Sequence, residues 1–280
     1  MTISSFEALA CPLDGTALQL NGRSWQCEAG HSFDIARQGY VHLLPVQNKR
    51  SKDPGDNKAM VAARQRFLNA GFYQPIAEAL VAAVFHENFS AASITALDAG
   101  CGEGYYMRYL AENTPETTHL ALMGLDISKW AVLSAAKQDT KPAWIVGSNA
   151  NLPVLPETLD LILCLFGFPV YPEFARVLRP GGEIVQIDAG PDHLIQLREI
   201  IYPELKAPRQ LPSGAPDGFT TVDTSAIRYS LTLPDKSSIA DLLAMTPHLY
   251  RAGAEGLARA AELESLTVTV EATITRTRKI

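Results

Sequence analysis

The stretch LDAGCGEGYY, residues 97–106, constrains the fold more than any other part of the chain. It ends the apolar run ITALDAG and opens a segment with helical spacing, so Gly100, Gly102 and Gly104 fall where a strand turns into a helix. Glycines at such a junction permit a tight turn and let a ligand approach the backbone closely. An acid, Asp98, stands two residues before the first of them. The spacing is G-x-G-x-G, which differs from the G-x-G-x-x-G with which dinucleotide-binding folds cradle a pyrophosphate.

The neighbouring sequence repeats the alternation. HLALMGLDI reads as a strand, KWAVLSAAKQ as a helix, and AWIVG and LDLILCLFG as strands. YPEFARVLRPGG reads as a helix closing in a Pro-Gly-Gly turn, and EIVQIDAG as the next strand. Short apolar runs alternating with amphipathic segments predict an α/β fold with a parallel sheet covered on both faces. Upstream, AMVAARQRFLNAG predicts a helix ending at Gly71, and QPIAEALVAAVFHENF a second, with Ile76, Leu80, Val84 and Phe85 on its apolar side. Downstream, RYSLTL (228–233) and LTVTVEATITRTRK (266–279) alternate as strands and SSIADLLAMT is helical. The Pro- and Gly-rich residues 190–220 are expected to form a long segment on the substrate side.

The N-terminal part has a different character. Asn21-Gly22 lies between TALQL and RSWQC, a strong hairpin signal. Cys11 and Asp14 precede the hairpin, and Cys27 and His31 follow it. Cys11, Cys27 and His31 have the spacing of three ligands of a small zinc site, with Asp14 where a second cysteine is expected. Zinc accepts carboxylate oxygen, although structural sites favour thiolate. Two readings stay open here: a zinc site with Asp14 as its fourth ligand, or a metal-free hairpin packed by Leu18, Trp25 and Phe33. PVQNKRSKDPGDNK, residues 45–58, has the composition of a linker.

A net charge of −6 argues against a chain that binds nucleic acid by bulk charge. The charge is uneven, however. Between Ile35 and Arg66, Arg37, Lys49, Arg50, Lys52, Lys58, Arg64 and Arg66 face only Asp53 and Asp56. Taken alone, such a run is a solvated loop and helix face. Four cysteines are too few for a disulfide framework, and neither a signal-peptide pattern nor an 18-residue apolar run is found. A reducing cytoplasm and no membrane partner are therefore expected.

The glycine loop with Asp98 resembles motif I of the Rossmann-like S-adenosylmethionine (SAM) methyltransferases. Asp126 matches the carboxylate that accepts hydrogen bonds from the cofactor's ribose, and Gly147-Ser148-Asn149-Ala150 falls where the adenine would lie. Arg179-Pro180-Gly181-Gly182 is a turn common in the superfamily. The resemblance narrows when the N-terminal module is joined to GYVHLLPVQNKRSKDPGD, AGFYQP, GPDHL and MTPHLYRA. Over nearly its whole length the chain then resembles the 23S rRNA guanine-N1 methyltransferases of the RlmA family.

That resemblance implies a Rossmann-like methyltransferase fold with a small zinc-ribbon-like N-terminal domain. Residues 1–44 would recognise RNA, 45–92 would be a basic linker with helices, and 93–280 the SAM domain. It implies methylation of N1 of a guanine in a 23S rRNA hairpin loop, zinc on Cys11, Cys27 and His31 with Asp14 as a departure, and a homodimer as a weaker expectation. Tyr73, Gly102, Glu103 and His193 match SAM-contacting positions, alongside Asp98, Gly100, Gly104, Asp126 and Asn149. On this reading the basic stretch faces a phosphate backbone. Tyr40, Phe72, Tyr73, Tyr105 and Tyr106 become candidates to stack on bases, with no more than two expected to reach RNA.

Guanine N1 carries a proton, so a general base is required. Asp188, Asp192, Glu103 and His193 are candidates among which the sequence does not choose. FGFPVYPEF, residues 166–174, lacks the Asn/Asp-Pro-Pro-aromatic motif of enzymes acting on amino nitrogens, and Cys164 reads as a core residue. Two other readings stay open: a small-molecule SAM methyltransferase with an unrelated N-terminal cap, and a binding module that keeps SAM as a fold stabiliser.

Overall fold

A computed structural model describes residues 2–45, 51, 53–86, 91–205 and 214–280. The N-terminal segment forms short strands at Thr2–Ser5 (β1), Gln19–Asn21 (β2), Ser24–Gln26 (β3), Ser32–Asp34 (β4) and Tyr40–His42 (β5). Two helices follow, Lys58–Asn69 (α1) and Gln74–Val84 (α2). The alternating region runs Ser93–Ala99 (β6), Tyr105–Glu112 (α3), His119–Asp126 (β7), Lys129–Gln138 (α4), Ala143–Val146 (β8), Leu159–Leu165 (β9), Tyr171–Val177 (α5) and Leu178–Ala189 (β10). Ile195–Ile201 (α6), Phe219–Leu233 (β11), Lys236–Met245 (α7), His248–Arg251 (α8), Ala254–Ala261 (α9) and Leu266–Lys279 (β12) complete it.

The main sheet has the order β11-β12-β10-β9-β6-β7-β8-β5. Strand β6 pairs in parallel with β7 on one side and β9 on the other, so the chain order reverses beside it. A crevice at the carboxyl ends of the strands is expected at such a switch point. The near-continuous apolar runs follow from burial on both faces: Leu97, Leu122, Ile162 and Ile187 are all fully buried. Helix α1 starts on Asn57, whose side chain accepts from the amides of Ala59 and Met60, and Pro75 opens the first turn of α2. No helix among the described residues is long and apolar enough to cross a membrane.

The N-terminal segment is threaded into this sheet. β1 pairs in parallel with His119–Leu122 of β7, and β8 pairs with Met123–Asp126, so β1 and β8 lie end to end along one edge of β7. β5 extends the sheet beyond β8. Between them β2, β3 and β4 make a separate three-stranded sheet. The amide of Ala10 donates to Pro153 O (3.0 Å) and that of Leu155 to Ala8 O (3.0 Å). Cys11, Leu18, Trp25 and Cys27 share one apolar cluster with Leu97, Met123 and Ile145 of the large sheet. A hairpin this small is marginal alone; here it is docked on the main core.

Several expectations change. β11 spans Phe219–Leu233, longer than the alternating RYSLTL, because Thr220–Ala226 are exposed on both faces of an edge strand and show no period-two pattern. Helix α2 stops at Val84, short of the predicted end; residues 87–90 lie outside the described residues. Segment 190–220 contains helix α6, and 206–213 lie outside the described residues. Of the basic stretch, Lys49, Arg50 and Lys52 are also outside them. Arg64 is paired with Asp56 (2.5 Å) and Arg66 with Asp241 (2.5 Å), so these two cations are engaged within the protein. Tyr40 and Tyr73 are core residues at 8% and 3% exposure, which removes them as stacking surfaces.

Candidate active site and metal centre

The crevice at the sheet's carboxyl ends is a cavity of about 750 Å³. Its floor is the glycine loop. The amides of Gly100 and Cys101 both donate to Leu125 O (2.8 and 3.0 Å), hanging the loop from the end of β7. The Asp126 carboxylate then fastens its tip: Gly102 N–H donates to Oδ2 (2.9 Å) and Ser128 N–H to Oδ1 (2.7 Å). A carboxylate has about four acceptor sites, so Asp126 keeps capacity for further donors. Burial pushes its carboxyl above the ordinary carboxylate range, against those two amides. Gly100 and Gly102 line the cavity with backbone at positive φ (108° and 56°). Gly104 does not line it. Its φ of 82° starts α3, and a Cβ there would sit 2.6 Å from Trp144 Cη2.

Asp98, 2% exposed, lies at the end of β6; burial, then the Asp126 charge, pushes its carboxyl up to about 7. Glu103 is buried, with Oε2 accepting from Arg108 (2.9 Å) and Gln138 (2.9 Å) while its Oε1 has no partner. Asn149 donates through Nδ2 to Ala99 O (3.2 Å) and Phe168 O (3.4 Å), and its buried Oδ1 also lacks a partner. His193 Nδ1 lies 2.8 Å from Glu271 O and 3.3 Å from Glu271 N, the shorter contact favouring a proton on Nδ1, and its Nε2 lies 3.2 Å from the Tyr73 hydroxyl. Burial holds the His193 imidazole below the usual histidine range.

These groups fit SAM. The glycine-loop side of the cavity carries the carboxyls of Asp98, Glu103 and Asp126, which suits a ligand with a sulfonium and an ammonium and opposes a phosphate-bearing one. The orphaned Asn149 Oδ1 matches an amine donor such as that of adenine. Eight of the nine residues expected at the cofactor, all but Gly104, line this one cavity.

Other lining residues were not legible. Asp56 and Arg64 form their ion pair at the rim, and Ser128 Oγ donates to Asp56 O (2.5 Å), so the described end of the 45–58 segment seats on the Asp126 loop. Phe168 is 85% exposed at the mouth. Phe166 has φ of 51°, a left-handed backbone that costs a non-glycine residue about 1–2 kcal/mol, and packs its ring 5.8 Å from His193. An apolar pair after a strand is the only sequence trace of either.

Cys11, Asp14, Cys27 and His31 converge, their ligand atoms all within 4.8 Å of one another. His31 Nδ1 lies 3.4 Å from each sulfur and 2.9 Å from Asp14 Oδ2, and Cys27 Sγ lies 3.4 Å from the same oxygen. Tetrahedral zinc with the usual bond lengths requires edges of roughly 3.3–3.8 Å, close to these values. Asp14 is pre-oriented: the Thr16 hydroxyl (2.6 Å) and amide (3.0 Å) occupy Oδ1 and turn Oδ2 inward. Those bonds hold the Asp14 carboxyl well below its ordinary range. The donor set fits zinc.

A sequence profile described as "RlmA, N-terminal" matches residues 9–52, and one described as "Methyltransferase domain" matches residues 96–182. The 23S rRNA (guanine(748)-N(1))-methyltransferase of Streptomyces fradiae is 32% identical over 279 residues, covering 97% of each chain. YxjB of Bacillus subtilis, whose name places it with the 23S rRNA (guanine-N1-)-methyltransferases, is 30% identical over 96% of each. Demethylmenaquinone methyltransferase of Bacillus licheniformis, 31% identical, matches only 39% of this chain and 50% of its own.

Proposed function

Because the chain belongs to the 23S rRNA (guanine-N1-)-methyltransferase family, we propose that it transfers a methyl group from SAM to N1 of a guanine in a 23S rRNA hairpin loop. The observation that carries this reading is similarity along 97% of the chain, N-terminal module included, whereas demethylmenaquinone methyltransferase matches only 39% of it. SAM, when bound, supplies a methyl group already activated by a positively charged sulfur.

The chain's residues then bind, orient and exclude water. Asp126 would accept from the ribose hydroxyls and Asn149 Oδ1 from the adenine amine. The Gly100–Gly102 backbone would let the cofactor lie close, and the buried carboxyls of Asp98 and Glu103 would adjoin it. Tyr73 and His193, in contact with each other, would line the part of the cavity that holds the cofactor. Cys11, Asp14, Cys27 and His31 would hold zinc, which would brace the 1–44 module for its contact with RNA. Residues 45–92 join it to a transfer domain over 93–280. The cysteines among the described residues are all free, in keeping with a reducing cytoplasm. A homodimer is part of the same reading.

The test is methyl transfer from labelled SAM to unmodified 23S rRNA, with the product mapped by mass spectrometry. Label in 1-methylguanine at one loop is expected. Tight SAM binding with no transfer to any rRNA would move the assignment to a small-molecule substrate.

A further inference from the structure

N1 of guanine cannot accept a methyl group while it holds its proton, and that proton dissociates in water only well above neutral pH. Four side chains are candidates to remove it, and their surroundings separate them. Asp192 is paired with Arg228 (2.9 Å) and does not line the cavity. Glu103 has its Oε2 on Arg108 and Gln138, and its partnerless Oε1 belongs to a side chain with no solvent exposure. His193 has Nδ1 on the Glu271 carbonyl and Nε2 on the Tyr73 hydroxyl, so neither nitrogen is left for substrate.

Asp188 differs from all three. It stands at the carboxyl end of β10 and lines the cavity with Phe166, Phe168 and Asn149. Gln186 Nε2 donates to its Oδ2 at 2.6 Å, and the Tyr171 hydroxyl donates to Gln186 Oε1 at 2.9 Å. The tyrosine therefore fixes which way the Gln186 amide faces, and the amide fixes the carboxylate. Oδ1 is left for a ligand. The adjoining backbone is tied in place, since Phe166 N–H donates to Ile187 O (2.8 Å). Asp98 and Asp126, the other carboxylates of the cavity, belong to the glycine-loop side.

We propose that Asp188 is the catalytic base of the transfer, its Oδ1 accepting the N1 proton of the target guanine while Gln186 and Tyr171 hold its Oδ2. This rests on the functional reading above. The N1–H bond breaks with its proton passing to Oδ1. The electron pair left on N1 forms the new N–CH3 bond, and the C–S bond breaks with its electrons returning to sulfur, which becomes a neutral thioether. The proton then leaves Asp188 to water. Burial pushes the Asp188 carboxyl up, against the pull of Gln186, which makes it a stronger base than an ordinary aspartate. Selectivity follows from the same geometry. Guanine offers an N–H at position 1, whereas adenine offers a lone pair that a carboxylate repels.

The experiment compares full-length wild type with Asp188→Asn in single-turnover methylation of an unmodified 23S rRNA fragment, with SAM affinity measured by calorimetry. The amide keeps the shape and cannot take a proton. A rate reduced by about 10²- to 10⁴-fold, with SAM affinity unchanged to within about threefold, is expected. A rate within about tenfold of wild type overturns the proposal, and so does loss of SAM binding, which would assign Asp188 to the cofactor. Should Asp188→Asn fail to fold, Asp188→Ser is read by the same two assays. The wild-type reaction is the separate control: absence of 1-methylguanine there refutes the functional reading itself.

Discussion

Replacing Asp126 by Asn tests the proposed cofactor site at its most constrained point. The carboxylate accepts Gly102 N–H at 2.9 Å through one oxygen and Ser128 N–H at 2.7 Å through the other. An amide has one acceptor and one donor end, so in either orientation its NH2 opposes one of these backbone donors. If it faces Gly102 the glycine loop loses its tether; if it faces Ser128 the start of α4 is disturbed. A ribose hydroxyl that had met a charged acceptor meets a neutral oxygen or a donor. A hydrogen bond to a charged group contributes about 1.5–3 kcal/mol, so SAM affinity should fall by about 10- to 150-fold. The stability of the free protein should change less, because two effects oppose. The lost backbone bond destabilises, while removing a buried charge whose carboxyl burial has already pushed up relieves a desolvation cost. Calorimetric titration with SAM, paired with thermal melting of the unliganded protein, reads both quantities. SAM affinity within about threefold of wild type, in a variant that melts normally, would refute the assignment of Asp126 to the ribose.

Metal analysis of the purified protein should find one zinc per chain, retained in Asp14→Cys and lost in Cys27→Ser; a metal-free wild type would exclude the site. Asp98, whose folded carboxyl is pushed up to about 7, is more readily protonated in the folded than in the unfolded chain. Its contribution is therefore full below the ordinary aspartate range of about 4 and is lost as pH rises toward 7, so Asp98→Asn should flatten melting temperature against pH across that window; an unchanged slope would contradict the shift. Phe168, 85% exposed at the cavity mouth, should be replaceable by Ala with no change in melting temperature but a loss of about 1–3 kcal/mol in RNA affinity if it stacks on a base. Equal RNA affinity in a filter-binding assay would exclude that role.

The parts of the fold legible in the sequence are those in which local pattern and tertiary setting agree. β6 through β10 are apolar runs bounded by turn residues because both sheet faces are covered, and the glycine loop announces itself because its backbone needs positive φ. What stayed hidden depends on distant partners. β1 and β5 are four and three residues long, too short for a period, and exist because β7 and β8 offer free edges. Gly104 was read as part of the ligand loop, yet its neighbour is Trp144, contributed by β8. The basic stretch looked like one electrostatic feature, but Asp56 and Asp241 neutralise two of its members, one from nearby and one from α7. Asp188 and His193 were both visible as candidates, and only the hydrogen bonds of Gln186, Tyr73 and Glu271 distinguish their surroundings.

The threading of the N-terminal segment also bears on how the chain is made. Synthesis delivers Thr2–Ser5 more than a hundred residues before its sheet partner, His119–Leu122. The same holds for Tyr40–His42 and its partner in β8. Until then both strands present unpaired edges, the hazard typical of non-local pairing. Cys11, Asp14, Cys27 and His31, by contrast, are spanned by a separation of only twenty residues and can close as soon as they leave the ribosome. A cluster that closes early holds the hairpin compact and keeps its ends near each other while the sheet is still being made. In the finished fold the same hairpin is also held by Cys11, Leu18, Trp25 and Cys27 packing on the large sheet, so its shape does not rest on the side chain at position 14 alone.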